Sequence, residues 1–178
     1  MGVKMDVKEA IEKRKSIRRF KEKEVPNEAI KEVIDAARRA PSGHNLQSWH
    51  FIIVKSKENL LKFKEQSVFV REKFYRAPVI IVCCTEKESY SSDSIKKHEK
   101  EMSLINLSLA SAFLVLRATE LGLGTCFVAW CDKEKIKKIL NIPENIIIPF
   151  VIAMGYPDED PEPGGRKKLN EIMRFEKW

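Results

Sequence analysis

From Met102 to Leu121 nearly every position is apolar or small (MSLINLSLASAFLVLRATEL), whichever face of a helix is considered. A surface helix needs only one apolar stripe, so this pattern predicts a helix enclosed on all sides, with the rest of the chain arranged around it. Gly122 stands where a left-handed residue would cap its C-terminus. The stretch Leu104–Leu121 is about long enough to cross a bilayer, but Asn106, Arg117 and Glu120 inside it argue against a span. With 178 residues, 43% apolar and 33% charged, the chain fits one domain over residues 1–178 with a real core, neither disordered nor membrane-embedded. The first eleven residues scatter charges where a signal peptide needs an apolar run, so a cytoplasmic protein is expected.

The remaining elements follow from caps and periodicity. Asp6 and Glu9 have capping-box spacing and start a helix expected to end near Ser16. A second helix follows Pro26 and Asn27, with Ile30, Val33, Ile34 and Ala37 on one face and Pro41 beyond its end. Trp49–Val54 and Val79–Cys84 read as buried strands, with Lys57–Gln66 as a helix between them. Gly124–Trp130 is a third strand, Asp132 caps a helix running to Leu140, and Ile146–Met154 is a fourth strand. Pro157–Gly165 (PDEDPEPGG) reads as a turn or exposed excursion. The last segment, Arg166–Trp178, carries Leu169, Ile172, Met173, Phe175 and Trp178, so it is expected to dock on something, such as a partner subunit.

Four cysteines occur, at 83, 84, 126 and 131. Neighbouring strand residues point to opposite faces, so Cys83 and Cys84 do not pair, and Cys126 and Cys131 lack zinc-knuckle spacing. All four read as reduced thiols acting as small apolar residues, with no metal site.

Charge is concentrated. Lys13–Lys23 holds seven basic residues against one acid, Glu22, and a second knot, Arg166-Lys167-Lys168, lies far along the chain. Such a run is most simply a solvated face. A nucleic-acid patch is a second reading, weakened by the lack of a nucleic-acid module and of stacking aromatics. A third is a phosphate clamp, for which Arg14-Lys15-Ser16-Ile17-Arg18 offers cations and a hydroxyl close together. Neither a Walker loop nor a G-x-G-x-x-G is present. Among the histidines, His44 falls in a loop, His50 in a strand as a structural residue, and His98 in a polar segment facing solvent.

The runs RKSIRRF at 14–20, PSGHNLQSWHFIIV at 41–54, ELGLGTC at 120–126 and GRKKL at 165–169 occur in the order found in the flavin-dependent nitroreductase superfamily, which the chain resembles over nearly its entire length. The resemblance implies an α+β nitroreductase-like fold with a central, mostly antiparallel sheet flanked by helices. It also implies a homodimer with FMN at the interface and a C-terminal strand exchanged between subunits.

Residue by residue, the resemblance assigns Arg14, Lys15, Ser16 and Arg18 to FMN. The first three hold the phosphate, and Arg18 reaches toward the ribityl chain and the pyrimidine edge. Arg166, with Lys168, matches the late basic residue of the phosphate clamp. Ser42, Gly43, Asn45 and Gln47 match a loop that approaches the flavin, in part from the other subunit. Ala129 and Trp130 match positions whose backbone meets the flavin N5 region, and no protein group is assigned as catalytic, because the hydride chemistry belongs to the flavin.

The implied activity is transfer of hydride from NADH or NADPH through FMN to a small-molecule electron acceptor such as a nitroaromatic or quinone, with neither nucleic acid nor membrane as partner. Reductive dehalogenation, flavin fragmentation and a non-enzymatic basic binding module are the alternatives. Ser89–Lys100 is the one candidate lid. Gln47-Ser48-Trp49 stands where many relatives have Gln-Pro-Trp, and Cys126–Trp130 puts a large aromatic beside the expected flavin face.

Overall fold

All seven residues from Val79 to Thr85 are buried, so this strand must be covered on both faces. The computed structural model, which describes residues 5–86 and 99–178, shows how. Strands β1 (Trp49–Val54), β2 (Val79–Thr85), β3 (Gly124–Val128) and β4 (Ile147–Gly155) form one sheet in the order β1-β2-β4-β3, with every pairing antiparallel. The fold is α+β, as the resemblance implied.

The two faces of the sheet carry two cores. Helices α2 (Asn27–Ala37) and α4 (Glu99–Glu120) cover one, where Ile81, Cys83, Ile152 and Met154 meet Val33, Leu107, Leu114 and Ala118. Helices α3 (Lys57–Glu65) and α5 (Lys133–Leu140) cover the other with the short helical turn Glu72–Arg76, packing Phe63, Phe74 and Ile136 on Ile80, Cys84 and Val151. Cys83 and Cys84 thus fall on opposite faces, and all four thiols are free. Full burial of one such aliphatic side chain contributes about 1.5–3 kcal/mol.

Local signals set most boundaries. The Asp6 side chain accepts from the Glu9 N–H at 2.8 Å in a complete capping box at the start of α1 (Val7–Lys13). The Ser56 and Asp132 side chains cap α3 and α5 by accepting from the Asn59 and Lys135 N–H groups. At the end of α4, Leu123 N–H donates to Ala118 O at 2.8 Å and Gly122 N–H to Thr119 O at 3.0 Å, with Gly122 at φ 72°. That pair of bonds is a Schellman motif, and the left-handed residue it needs is the glycine.

Two expectations need correction. Helix α1 ends at Lys13, not near Ser16, because the next residues are taken by the sheet: Ser16 bridges Thr125, and Ile17 N–H donates to Thr125 O at 2.9 Å. Helix α4 is not enclosed on all sides within one chain. Ile105, Leu109 and Phe113, one turn apart, are 50%, 39% and 41% exposed, although its other faces pack on α2, α1 and the sheet. The tail forms no strand in the single chain. It is exposed throughout residues 163–178, with one helical turn, α6 (Leu169–Ile172), and Leu169, Phe175 and Trp178 bare. The lid candidate Ser89–Lys100 lies outside the described residues, apart from the two backbone positions that begin α4, and so does His98.

Replacing Leu114, fully buried under the sheet, by alanine should lower the unfolding free energy by about 2–5 kcal/mol, measured by urea titration. Gly124 is a site of close approach, since a Cβ there would lie 2.7 Å from Ile17 Cβ and Cγ1. Gly124→Ala should therefore cost about 1–3 kcal/mol through overpacking. The double variant Gly124→Ala/Ile17→Ala should lose less than the sum of the two single losses, which thermal melting of the four proteins would read.

Candidate active site

The basic segment after α1 lies along the outer edge of β3. Ile17 packs on Gly124 and bonds to Thr125, which fixes Arg14 to Arg18 beside the strand. Further along, Lys21 N–H donates to Tyr156 O and Asp158 N–H to Arg19 O, so residues 19–21 also pair with the chain leaving β4.

This pairing brings the acidic run 158–160 against the basic one, a contact that periodicity did not reveal. Glu159 Oε1 accepts from the Arg18 N–H at 2.5 Å and the Arg19 N–H at 3.2 Å, and Lys15 Nζ meets Asp160 Oδ1 at 2.6 Å. The Arg18 guanidinium is left to donate to Ser16 O at 3.0 Å. Arg14, Lys15, Ser16 and Arg18 are all half-buried.

Beside this segment a pocket of about 250 Å³ opens, where Arg18, Arg71 and Phe74 face the run Cys126–Trp130. Strand β3 ends at Val128, so Ala129 and Trp130 lie in the loop that follows rather than in the strand. Trp130 is 69% exposed and is not a core residue, while Phe127, also exposed, packs edge-on against Phe150. Burial raises the thiol of Cys126, the pocket's cysteine, although the nearby Arg18, Lys73 and Arg71 charges pull it down. Burial likewise pushes Cys84 and Cys131 up to about 11.

Of the residues singled out in the sequence, Arg18, Ala129 and Trp130 meet in this pocket, with Arg14 to Ser16 alongside. Ser42, Gly43, Asn45 and Gln47 do not join them. They precede β1, at the opposite edge of the sheet from β3. There Ser42 Oγ accepts from Gln47 N–H at 3.1 Å, Gly43 N–H donates to Asn106 Oδ1 at 3.4 Å, and the Ser48 and Thr85 hydroxyls bond at 3.2 Å. His44, Asn45 and Gln47 all have φ near 50–56°, a strained backbone for side-chain-bearing residues at about 1 kcal/mol or more each. His50 faces outward, 3.6 Å from Glu86.

Arg166 and Lys168 are also apart. Arg166 donates to the carbonyls of Gly164 and Gly165 in its own turn, and the Lys168 N–H donates to Glu171. Among the described residues neither makes a bond or ion pair with the Arg14–Arg18 segment.

Arg71 and Phe74 were missed in the sequence. They fall in no periodic element, and what delivers them is tertiary: Phe69 bridges Cys131, and Asp132 N–H donates to Val68 O at 2.8 Å. The only local signal is the mix of basic and aromatic residues in Val70–Arg76 (VREKFYR).

Comparison with known proteins gives the family. A protein of Methanothermobacter thermautotrophicus provisionally named NADH dehydrogenase/NAD(P)H nitroreductase is 37% identical, over 98% of this chain and 89% of its own length. An iodotyrosine deiodinase of Thermotoga neapolitana is 28% identical, over 90% of this chain and 92% of its own. The crystal structure of a nitroreductase family protein from Clostridium difficile 630 superposes with a TM-score of 0.82 at 28% identity, covering 98% of this chain and all of that one. The family model described as "Nitroreductase family" matches residues 11–156, which takes in the basic segment, the loop before β1, the whole sheet and the pocket, and the chain belongs to that family.

Proposed function

We propose that the chain is an FMN-dependent NAD(P)H oxidoreductase that works as a homodimer and reduces an electron-poor small molecule such as a nitroaromatic or a quinone. The observation that carries this is the convergence of Arg18 with Ala129 and Trp130 on one pocket, beside a segment rich in phosphate-binding groups.

The residues present suit such a cofactor. A phosphate needs cations and a hydroxyl, and Arg14, Lys15 and Ser16 supply them half-buried at the end of α1. Among the described residues Lys15 pairs with Asp160, which is 90% exposed, and a pair with so exposed a partner is worth about 0–1 kcal/mol, so Lys15 can turn to a phosphate at little cost. When bound, FMN accepts hydride from NAD(P)H and passes two electrons to the acceptor. Arg18 would hold negative charge at the ring's polar edge, and the backbone of Ala129 and Trp130 would orient the reacting end. Ser42, Gly43, Asn45 and Gln47, at the far edge of the sheet, would serve the pocket of a second copy. Arg166 and Lys168 would add their charge from the same partner. Four unpaired thiols and a need for NAD(P)H fit a reducing cytoplasm, with no part for nucleic acid or membrane.

The relative from Thermotoga neapolitana favours one second reading, reductive deiodination, in which two electrons and a proton convert an aryl iodide to the arene and iodide. Iodide release from 3-iodotyrosine, set beside turnover of a quinone, would separate the two.

The purified protein should be yellow, absorbing at roughly 350–500 nm. Arg14→Ala should weaken FMN about tenfold or more in a fluorescence titration, as expected for one lost charge-assisted contact, while Lys8→Ala binds like the parent. Equal binding by both variants would remove the clamp assignment. Deleting residues 166–178 should abolish both the dimer and tight FMN binding, and a flavin-loaded dimer of the truncated protein in sedimentation would exclude the role given to the tail.

A further inference from the structure

Strand β4 leaves the sheet through Tyr156, Pro157 and Asp158, and this exit runs alongside residues 19–21. Lys21 N–H donates to Tyr156 O at 2.9 Å, Phe20 bridges Pro157, and Asp158 N–H donates to Arg19 O at 3.0 Å. The main chain is therefore fixed one residue before Glu159, whose side chain folds back onto the basic segment and is only 19% exposed. Its Oε1 accepts from the successive N–H groups of Arg18 and Arg19, at 2.5 and 3.2 Å, and its Oε2 stands 3.5 Å from Arg19 Nε.

Successive N–H groups turned toward one oxygen make a nest of the kind that holds anions, filled here by a carboxylate of the same chain. The contact decides where Arg18 stands. Ile17 N–H on Thr125 O fixes the chain just before Arg18, and Glu159 fixes it at Arg18 and Arg19. The Arg18 guanidinium, bonded to Ser16 O at 3.0 Å, then lies along the pocket beside Cys126–Trp130. By its charge alone a carboxylate so near the cations opposes an incoming phosphate. A competitor for that phosphate would sit on the cationic side chains, as Asp160 sits on Lys15, whereas Glu159 gives its better-buried oxygen to the backbone of Arg18. What it contributes is shape, set before any ligand arrives.

We propose that Glu159 is a positioning residue for the cofactor site, holding the Arg18 and Arg19 backbone so that the Arg18 side chain stands ready for FMN. This rests on the reading that FMN binds beside Arg14–Arg18.

The test separates reach from charge in the full-length, FMN-loaded protein. Glu159→Gln keeps an oxygen at the same reach and loses the charge, while Glu159→Asp keeps the charge on a shorter arm. FMN released on dilution is followed by flavin fluorescence. Glu159→Ala and Glu159→Asp should each bind about tenfold more weakly, as when roughly a tenth of the molecules hold the competent shape. Glu159→Gln should bind like the parent or more tightly, because the acceptor remains and the repulsion has gone. Since Glu159 acts through Arg18, adding Glu159→Ala to Arg18→Ala should cost much less than it does in the parent. Melting temperatures show which variants are folded, and Glu159→Asp decides the matter where Glu159→Ala does not fold. Tighter binding by Glu159→Ala overturns the assignment by making the carboxylate a competitor of the phosphate. So does a Glu159→Gln protein as weak as Glu159→Ala, additive losses in the double variant, or variants that melt lower yet keep the parent's affinity. A parent that binds no FMN overturns the cofactor reading and this assignment together, whereas a parent that binds it as tightly as Glu159→Asp overturns the assignment alone.

Discussion

The contact on which the site depends is the seating of Ile17 on Gly124. A side chain at position 124 would overlap Ile17, so the strand must start with a residue that has no Cβ. With that space open, Ile17 N–H reaches Thr125 O, and the cationic segment lies flat along a sheet edge instead of projecting as a charged arm. The same contact protects the fold, because β3 is an edge strand whose outer groups would otherwise be available to another chain. One packing event thus closes an edge and brings Arg18 to the pocket, with Arg14 to Ser16 alongside.

Charge is then divided by function along this edge. The carboxylate of Glu159 is spent on two backbone N–H groups, which hold the segment's shape without neutralising the Arg18 guanidinium. The pairs that do involve side chains, Lys15 with Asp160 and Arg19 with Glu159, each include a mostly exposed partner and are weak. The backbone is firmly held while the cations stay available to an anion. A run that looks in sequence like a solvated basic face is in space a fixed one, with acids placed to support it.

What could be read in the sequence was whatever is local. Asp6 with Glu9, Asp132 and Gly122 mark helix ends through bonds to residues a few positions away, and those ends are found where expected. The apolar run at 79–84 announced a strand buried on both faces because no other element takes such a run in so short a length. Misreadings occur where a distant partner decides. Residues 14–16 continue the helical pattern of α1, yet Thr125 claims them for the sheet. Arg71 lies in an irregular stretch and becomes a pocket residue only through Val68, Phe69 and their partners at 131–132. The apolar run of α4 was read as total enclosure because a sequence cannot distinguish burial under the chain's own sheet from burial that another molecule must complete.

That last distinction bears on assembly. The outward stripe of α4 is too narrow to hold two subunits by itself, since Ile105, Leu109 and Phe113 present only part of their surface, and a stable interface buries on the order of 1,200–2,000 Å² in total. The tail carries further exposed apolar surface. Phe175 and Trp178 are bare, aromatic side chains each bury about 150–250 Å², and Leu169, Ile172 and Met173 add aliphatic surface beside them. The strained turn at 44–47 fits the same logic, because backbone held in an unfavourable region is tolerated where a site needs its shape, and this turn lies at the opposite edge of the sheet from its own chain's pocket. A second copy would give the stripe its cover, the tail a surface to bind and the turn a pocket to complete.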